Sequence, residues 1–197
     1  MTGKFIRAIL GIGVAVAIFT SCSKDSGLLP VNPKDTAATT PGKPSGDTSQ
    51  PGTSTPGTGV AGNNIDRDAL LKLVNGLRTK GCKCGTDQMP PVGPVTWNGL
   101  LEKAAYDFSV EMKTKNFFSH TSPDGSTPGS RLDAVGYNWN TYGENIAQGY
   151  MDEQSVILGW LNSPGHCKNM MNGNFREMGI GKAGNYWTME LGRRSGN

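Results

Sequence analysis

The chain has 197 residues, a formal net charge of +3, 4 cysteines and only 2 histidines. Most of that charge lies ahead of residue 63, so the remainder is nearly neutral and lacks the clustered Lys/Arg footprint of a nucleic-acid binder. Residues 63–197 have the length of one domain with one hydrophobic core.

The N-terminus has the pattern of an exported protein. Lys4 and Arg7 precede an apolar run from Ala8 to Phe19, about a dozen residues, which suits a signal peptide and is too short to span a bilayer. The run ends in Phe19-Thr20-Ser21-Cys22, which resembles the bacterial lipobox. Residues 1–21 are therefore expected to be a lipoprotein signal peptide, with Cys22 as the lipidated first mature residue. Ser23 follows it in place of Asp, which resembles the signal for outer-membrane delivery, so the membrane becomes a partner through Cys22. From residue 22 to 62, Pro, Gly, Ser and Thr dominate. Such a segment buries too little apolar surface to offset ordering entropy and is expected to be a disordered tether, about 35 Å long as a coil.

The domain begins with a helix carrying Leu70, Leu73, Val74 and Leu77 on one side and stopped by Gly81. Gly81 to Val95 has loop composition and holds Cys82 and Cys84. A second helix starts after Asn98, with Leu101, Ala105, Phe108 and Met112 on one face, and ends near Phe117-Phe118-Ser119-His120. Thr127-Pro128 opens a third, short helix that Gly136 closes. The fourth runs from about Asp152 to Asn162 and buries Val156, Ile157 and Trp160. Pro164-Gly165 breaks it, and a turn of helix follows through Met171. The period then changes to two. Met178 and Ile180, then a turn at Gly184-Asn185, then Trp187, Met189 and Leu191 form an expected hairpin. Residues 95–97 and the region around Asn145 are candidate further strands. Helices outnumbering a small antiparallel sheet imply an α+β domain.

In an oxidising compartment the three cysteines left after Cys22 are expected to form one disulfide. Cys82 and Cys84 are too close in sequence to bridge each other well, so one of them pairs with Cys167. We assign Cys84–Cys167, although the spacing leaves Cys82 open as the partner and leaves one thiol unexplained. A Cys3His zinc site from Cys82, Cys84, Cys167 and His166 lacks the usual C-x2-C spacing. A Cys167 nucleophile lacks a facing histidine, because adjacent His166 points elsewhere on a helix. Ser163 with His166 lacks the G-x-S-x-G elbow of a serine hydrolase, and Ser163 is expected to cap the turn at Pro164.

Five pieces stand in order: NFFSHTSPDG, STPGSRLDAVGY, YGENIAQG, GWLNSPGHCKNMMN, and REMGIG with YWTMELG. Together they resemble the CAP superfamily, also called the cysteine-rich secretory, antigen 5 and pathogenesis-related-1 family, from about Leu71 to Gly192. The resemblance implies a three-layer α-β-α sandwich with a small antiparallel sheet and an open cleft over residues 63–197. It also implies a cleft lined by two histidines and two acids, at which some members bind divalent metal (Zn, Mg or Ca here). His120, Glu144 and His166 match three of those positions and are the candidate ligand-binding residues, with His120 and His166 the candidate metal ligands. Ser163 stands where the second acid is usual. Asn145 is expected to bond backbone in a turn.

Catalytic residues are not assigned. The leading expectation is a membrane-anchored envelope protein that works by binding a small molecule, peptide or glycan in the His/Glu cleft, together with a divalent cation. The first alternative is a metal-assisted hydrolase of envelope polymers or peptides, with Glu144 as base. The second is a structural envelope protein whose cleft has no role.

Overall fold

The computed structural model describes residues 59–196. The signal peptide, lipidation at Cys22 and the tether as far as residue 58 lie outside the described residues. The elements run α1 (Arg67–Lys80), β1 (Cys82–Cys84), β2 (Asp87–Met89), β3 (Thr96–Trp97), α2 (Gly99–Lys115), α3 (Pro128–Ala134), β4 (Trp139–Gln148), α4 (Glu153–Asn162), α5 (Pro164–Met170), β5 (Glu177–Ala183) and β6 (Tyr186–Arg194). None of the described helices is long and apolar enough to cross a membrane.

Local chemistry sets the helix ends. Asn98 Oδ1 accepts from the Leu100 and Leu101 amides at the start of α2, and Asp152 Oδ1 accepts from Ser155 at the start of α4. Thr127 and Ser130 form a capping box on α3, with Pro128 in its first turn. Ser163 occupies the N-cap position of α5, but its side chain makes no cap hydrogen bond, contrary to the expectation from sequence.

Four strands form one sheet in the order β3-β5-β6-β4. It is antiparallel except for the two-residue β3, which runs parallel to β5. Both faces are covered, which gives the α-β-α layering. On one face Met178, Ile180, Trp187, Met189 and Leu191 pack with Leu70 and Val74 of α1 and with Val156, Ile157 and Trp160 of α4. On the other face lies α2. Its Phe108 and Met112 pack with Ile146 and Tyr186, and Ser109 Oγ donates to Thr188 Oγ1 at 2.9 Å. Gly179 and Gly181 make that approach possible, because a Cβ at either would overlap the backbone of Glu102 or Tyr106 in α2.

Three features depart from the sequence reading. Residues 81–95 are not all loop: β1 and β2 pair as a small antiparallel ribbon in the register Cys82–Met89, Lys83–Gln88 and Cys84–Asp87. Asn145 lies inside β4, as the candidate strand there anticipated, and bonds the His166 backbone from that strand rather than from a turn. Arg78 occupies the buried stripe of α1 beside Leu70 and Val74. It donates to the carbonyls of Gly93 (2.9 Å), Met170 (2.6 Å), Asn172 (3.0 Å) and Phe175 (3.2 Å). Burial, and then Arg176, lower its pKa to about 10, so it stays charged at neutral pH. Arg78 thereby anchors the C-terminal end of α5.

Candidate functional site

The two histidines arrive at β4 from opposite layers. His120 is in the loop after α2. Asn116 ends that helix in the left-handed region (φ 52), and Phe117 turns back to pack on Phe108 at 6.0 Å between ring centroids. His166 is on α5, in the other layer. Asn145 Nδ2 donates to the His166 carbonyl at 3.1 Å. Asn169 Nδ2 donates to the Glu144 carbonyl (3.2 Å) and to Asn145 Oδ1 (3.0 Å). These bonds stitch α5 to β4, so His166 is held with its strand partner.

Glu144 joins the loop to the sheet. Its side chain is 2% exposed, and His120 Nδ1 donates to Oε1 at 2.6 Å while Arg131 of α3 donates to Oε2 at 2.6 Å. Arg131 also donates to the carbonyls of His120 (3.0 Å) and Ser126 (3.1 Å) and stacks on Phe108, 3.4 Å from its centroid. This arrangement places a proton on Nδ1 of His120 and leaves Nε2 as the ring nitrogen directed away from Glu144. His120 itself is half exposed, beside exposed Phe118. The pKa of His166 is lowered, first by burial and then by repulsion from His120. Its imidazole is therefore neutral at pH 7.

A fourth group completes the cluster. Glu190 on β6 sits directly across the ladder from Glu144 and is fully buried. Among the described residues its two carboxyl oxygens have no hydrogen-bond partner. Burial, then the neighbouring charge of Glu144, push its pKa well above the carboxylate range, while Arg131 acts in the opposite direction. Glu190 is therefore protonated, since two buried carboxylates side by side cannot both ionise. Arg131 and Glu190 were not among the residues singled out from sequence. The signal for Glu190 was present: a charged residue on a strand face that a helix must cover needs a partner there.

The metal that the fold resemblance implies does not fit these donors. A zinc site takes at least three protein ligands, and here both Glu144 oxygens are engaged while the position of the second acid holds Ser163, half-buried at the α5 N-cap. His120 and His166 remain as two imidazole donors. Among the described residues, the one group of three metal-ligating atoms within 4.8 Å of one another is Cys82, Cys84 and Cys167. Two of those, Cys84 and Cys167, form a disulfide, with 5.4 Å between their Cα atoms.

Comparison with known proteins agrees with this architecture. Residues 71–190 match the family described as the cysteine-rich secretory protein family, CAP. The chain is 38% identical over 100 residues to the uncharacterized protein YkwD of Bacillus subtilis, covering 50% of this chain and 39% of that protein. It is 34% identical over 125 residues to the uncharacterized membrane protein YlbC of the same organism, covering 64% of this chain and 34% of that one. The match thus spans well under half the length of these curated relatives. Among solved structures, an extracellular protein containing a SCP domain from Bacillus anthracis superposes with a TM-score of 0.57 at 31% identity, over 64% of this chain and 40% of that one. An outer surface protein from Borrelia burgdorferi shares the fold at a TM-score of 0.55 and 22% identity, over 65% of this chain and 92% of the other.

Proposed function

The chain belongs to the cysteine-rich secretory protein (CAP) family, and we propose that it is an exported binding protein of the cell envelope, held at the outer membrane by lipidated Cys22. Its cleft takes a hydroxyl- or amide-bearing ligand: a glycan, a peptide or a small molecule. The observation that carries this reading is the Arg131–Glu144–His120 chain. By fixing His120 Nδ1–H toward Glu144, it makes Nε2 an acceptor suited to a ligand O–H or N–H donor. His166, neutral at pH 7, is tied through its carbonyl to Asn145, the neighbour of Glu144 on β4.

The metal-assisted hydrolase raised from the sequence needs Glu144 free to act as the general base. Glu144 has both oxygens bonded to His120 and Arg131, and Glu190 behind it carries a proton, so neither is placed as that base. The location draws support from the N-terminal signal and lipobox pattern and from similarity to proteins named as extracellular or outer-surface. The test is calorimetric titration of the full chain with soluble peptidoglycan fragments and with short peptides, in the presence and absence of chelator. Binding that survives chelator and weakens at least about tenfold in His120→Ala, the loss of roughly one hydrogen bond, is the expected result. Metal-dependent turnover of either probe would overturn the binding reading in favour of the hydrolase.

A further inference from the structure

The disulfide has a neighbour that the binding reading does not use. Cys82 and Cys84 both face inward on β1, with Lys83 between them pointing to solvent. Cys84 is bonded to Cys167, and Cys82 Sγ lies 3.8 Å from Cys167 Sγ. All three sulfurs are buried among Leu77, Met89, Val92, Leu161 and Met171. The period-two geometry of a strand brings both cysteines of the CKC segment to the same point on α5, so one sulfur on the helix has two inward-facing sulfurs of the strand beside it.

We propose that these three cysteines form an internal thiol–disulfide exchange pair, in which Cys167 is bridged alternately by Cys84 and by Cys82. The Cys82 thiolate attacks Cys167 Sγ and forms the new S–S bond. The Cys84–Cys167 bond breaks, its electron pair leaves on Cys84 Sγ, and Cys84 takes up the proton that Cys82 gave up. One disulfide and one thiol are present before and after, so no external oxidant or reductant is consumed. The three sulfurs form a compact triangle rather than a line, so in-line attack requires rotation of the Cys82 side chain, and burial excludes competing thiols from the reaction. Exchange moves the anchor of α5 by two residues along β1. Because α5 carries His166 next to Cys167, the two isomers hold the His166 segment from different points.

The test uses the oxidised full chain. The native protein is incubated at neutral pH and quenched in acid, which stops exchange by protonating the attacking thiolate. It is then unfolded in the presence of an alkylating agent and digested with trypsin. Cleavage after Lys83 separates Cys82 from Cys84, so mass spectrometry reads directly which one carried the thiol. Label on both is the expected result. When the isomers are separated by reversed-phase chromatography in acid and one is returned to neutral pH, the original ratio should be regained. Label confined to one of the two cysteines, or a separated isomer that stays fixed after its return to neutral pH, would overturn the proposal. Cys84→Ser provides an independent check, because it should close a Cys82–Cys167 bridge and leave neither Cys82 nor Cys167 alkylatable. Label on both Cys82 and Cys167 in a Cys84→Ser protein whose circular dichroism matches the parent would also overturn it.

Discussion

Replacing Glu190 by Gln should make the protein more stable at neutral pH, although it alters a fully buried residue. Glu190 keeps its proton in the folded state because burial and the facing Glu144 raise its pKa, whereas in the unfolded chain it ionises near the ordinary glutamate value of about 4.3. The sign follows from proton binding. Below the unfolded pKa both states are protonated and Glu190 contributes no pH dependence. Above it the folded state holds a proton that the unfolded state releases, so stability falls as pH rises toward the folded pKa. The slope is about 1.4 kcal/mol per pH unit while Glu190 stays protonated. Gln has nearly the same shape and volume and cannot ionise. The stability difference between Glu190→Gln and the parent, measured by urea unfolding, should therefore widen in favour of the variant by about 1.4 kcal/mol per unit above about pH 5. Contributions from the other titrating groups largely cancel in that difference. A difference that does not vary from pH 5 to 7 would refute the assignment of the proton to Glu190.

Gly179→Ala should destabilise by about 1–3 kcal/mol or more, because its Cβ would overlap the Glu102 and Leu101 backbone and α2 would have to move off the sheet; thermal unfolding measures this, and an unchanged melting temperature would contradict the packing described. Arg78→Met should cost about 3 kcal/mol or more, at about 1–3 kcal/mol for each buried acceptor left unsatisfied, since four backbone carbonyls lose their donor. That loss should appear as lower urea midpoints and faster amide exchange around residues 170–175, and protection equal to the parent's would show that Arg78 does not anchor α5.

Much of this fold is legible in the sequence because its signals are local. Asn98, Thr127-Pro128 and Asp152 mark helix starts with the side chains that cap them. The alternation of Met178 and Ile180 and of Trp187, Met189 and Leu191 marks one sheet face. What escaped depends on partners distant in the chain. The three-residue strands β1 and β2 are too short to carry a periodic signal, although the Cys84–Cys167 bond that ties them to α5 across 83 residues was expected from the cysteines. Arg78 looks like the polar side of α1 until the loop and α5 carbonyls close over it. Glu190 alternates away from the Met189 and Leu191 face, and its need for a partner becomes a signal only once α2 is known to cover its side of the sheet. At the candidate site, His120, Glu144 and His166 were found through motifs. Arg131, which determines what Glu144 can do, lies in the STPGSRLDAVGY segment without a periodic or spacing cue of its own.

The account rests on Glu144 fixing His120 with Nε2 available to a ligand. Nitrogen-15 NMR of the histidine rings in the full chain tests this most directly, because there are only two histidines and a His166→Ala variant assigns both. The predicted result is a His120 ring protonated at Nδ1, whose Nε2 resonance shifts when a bound peptidoglycan fragment or peptide donates to it. A His120 ring carrying its proton on Nε2, or a bound probe that leaves both imidazoles unperturbed, would contradict the account.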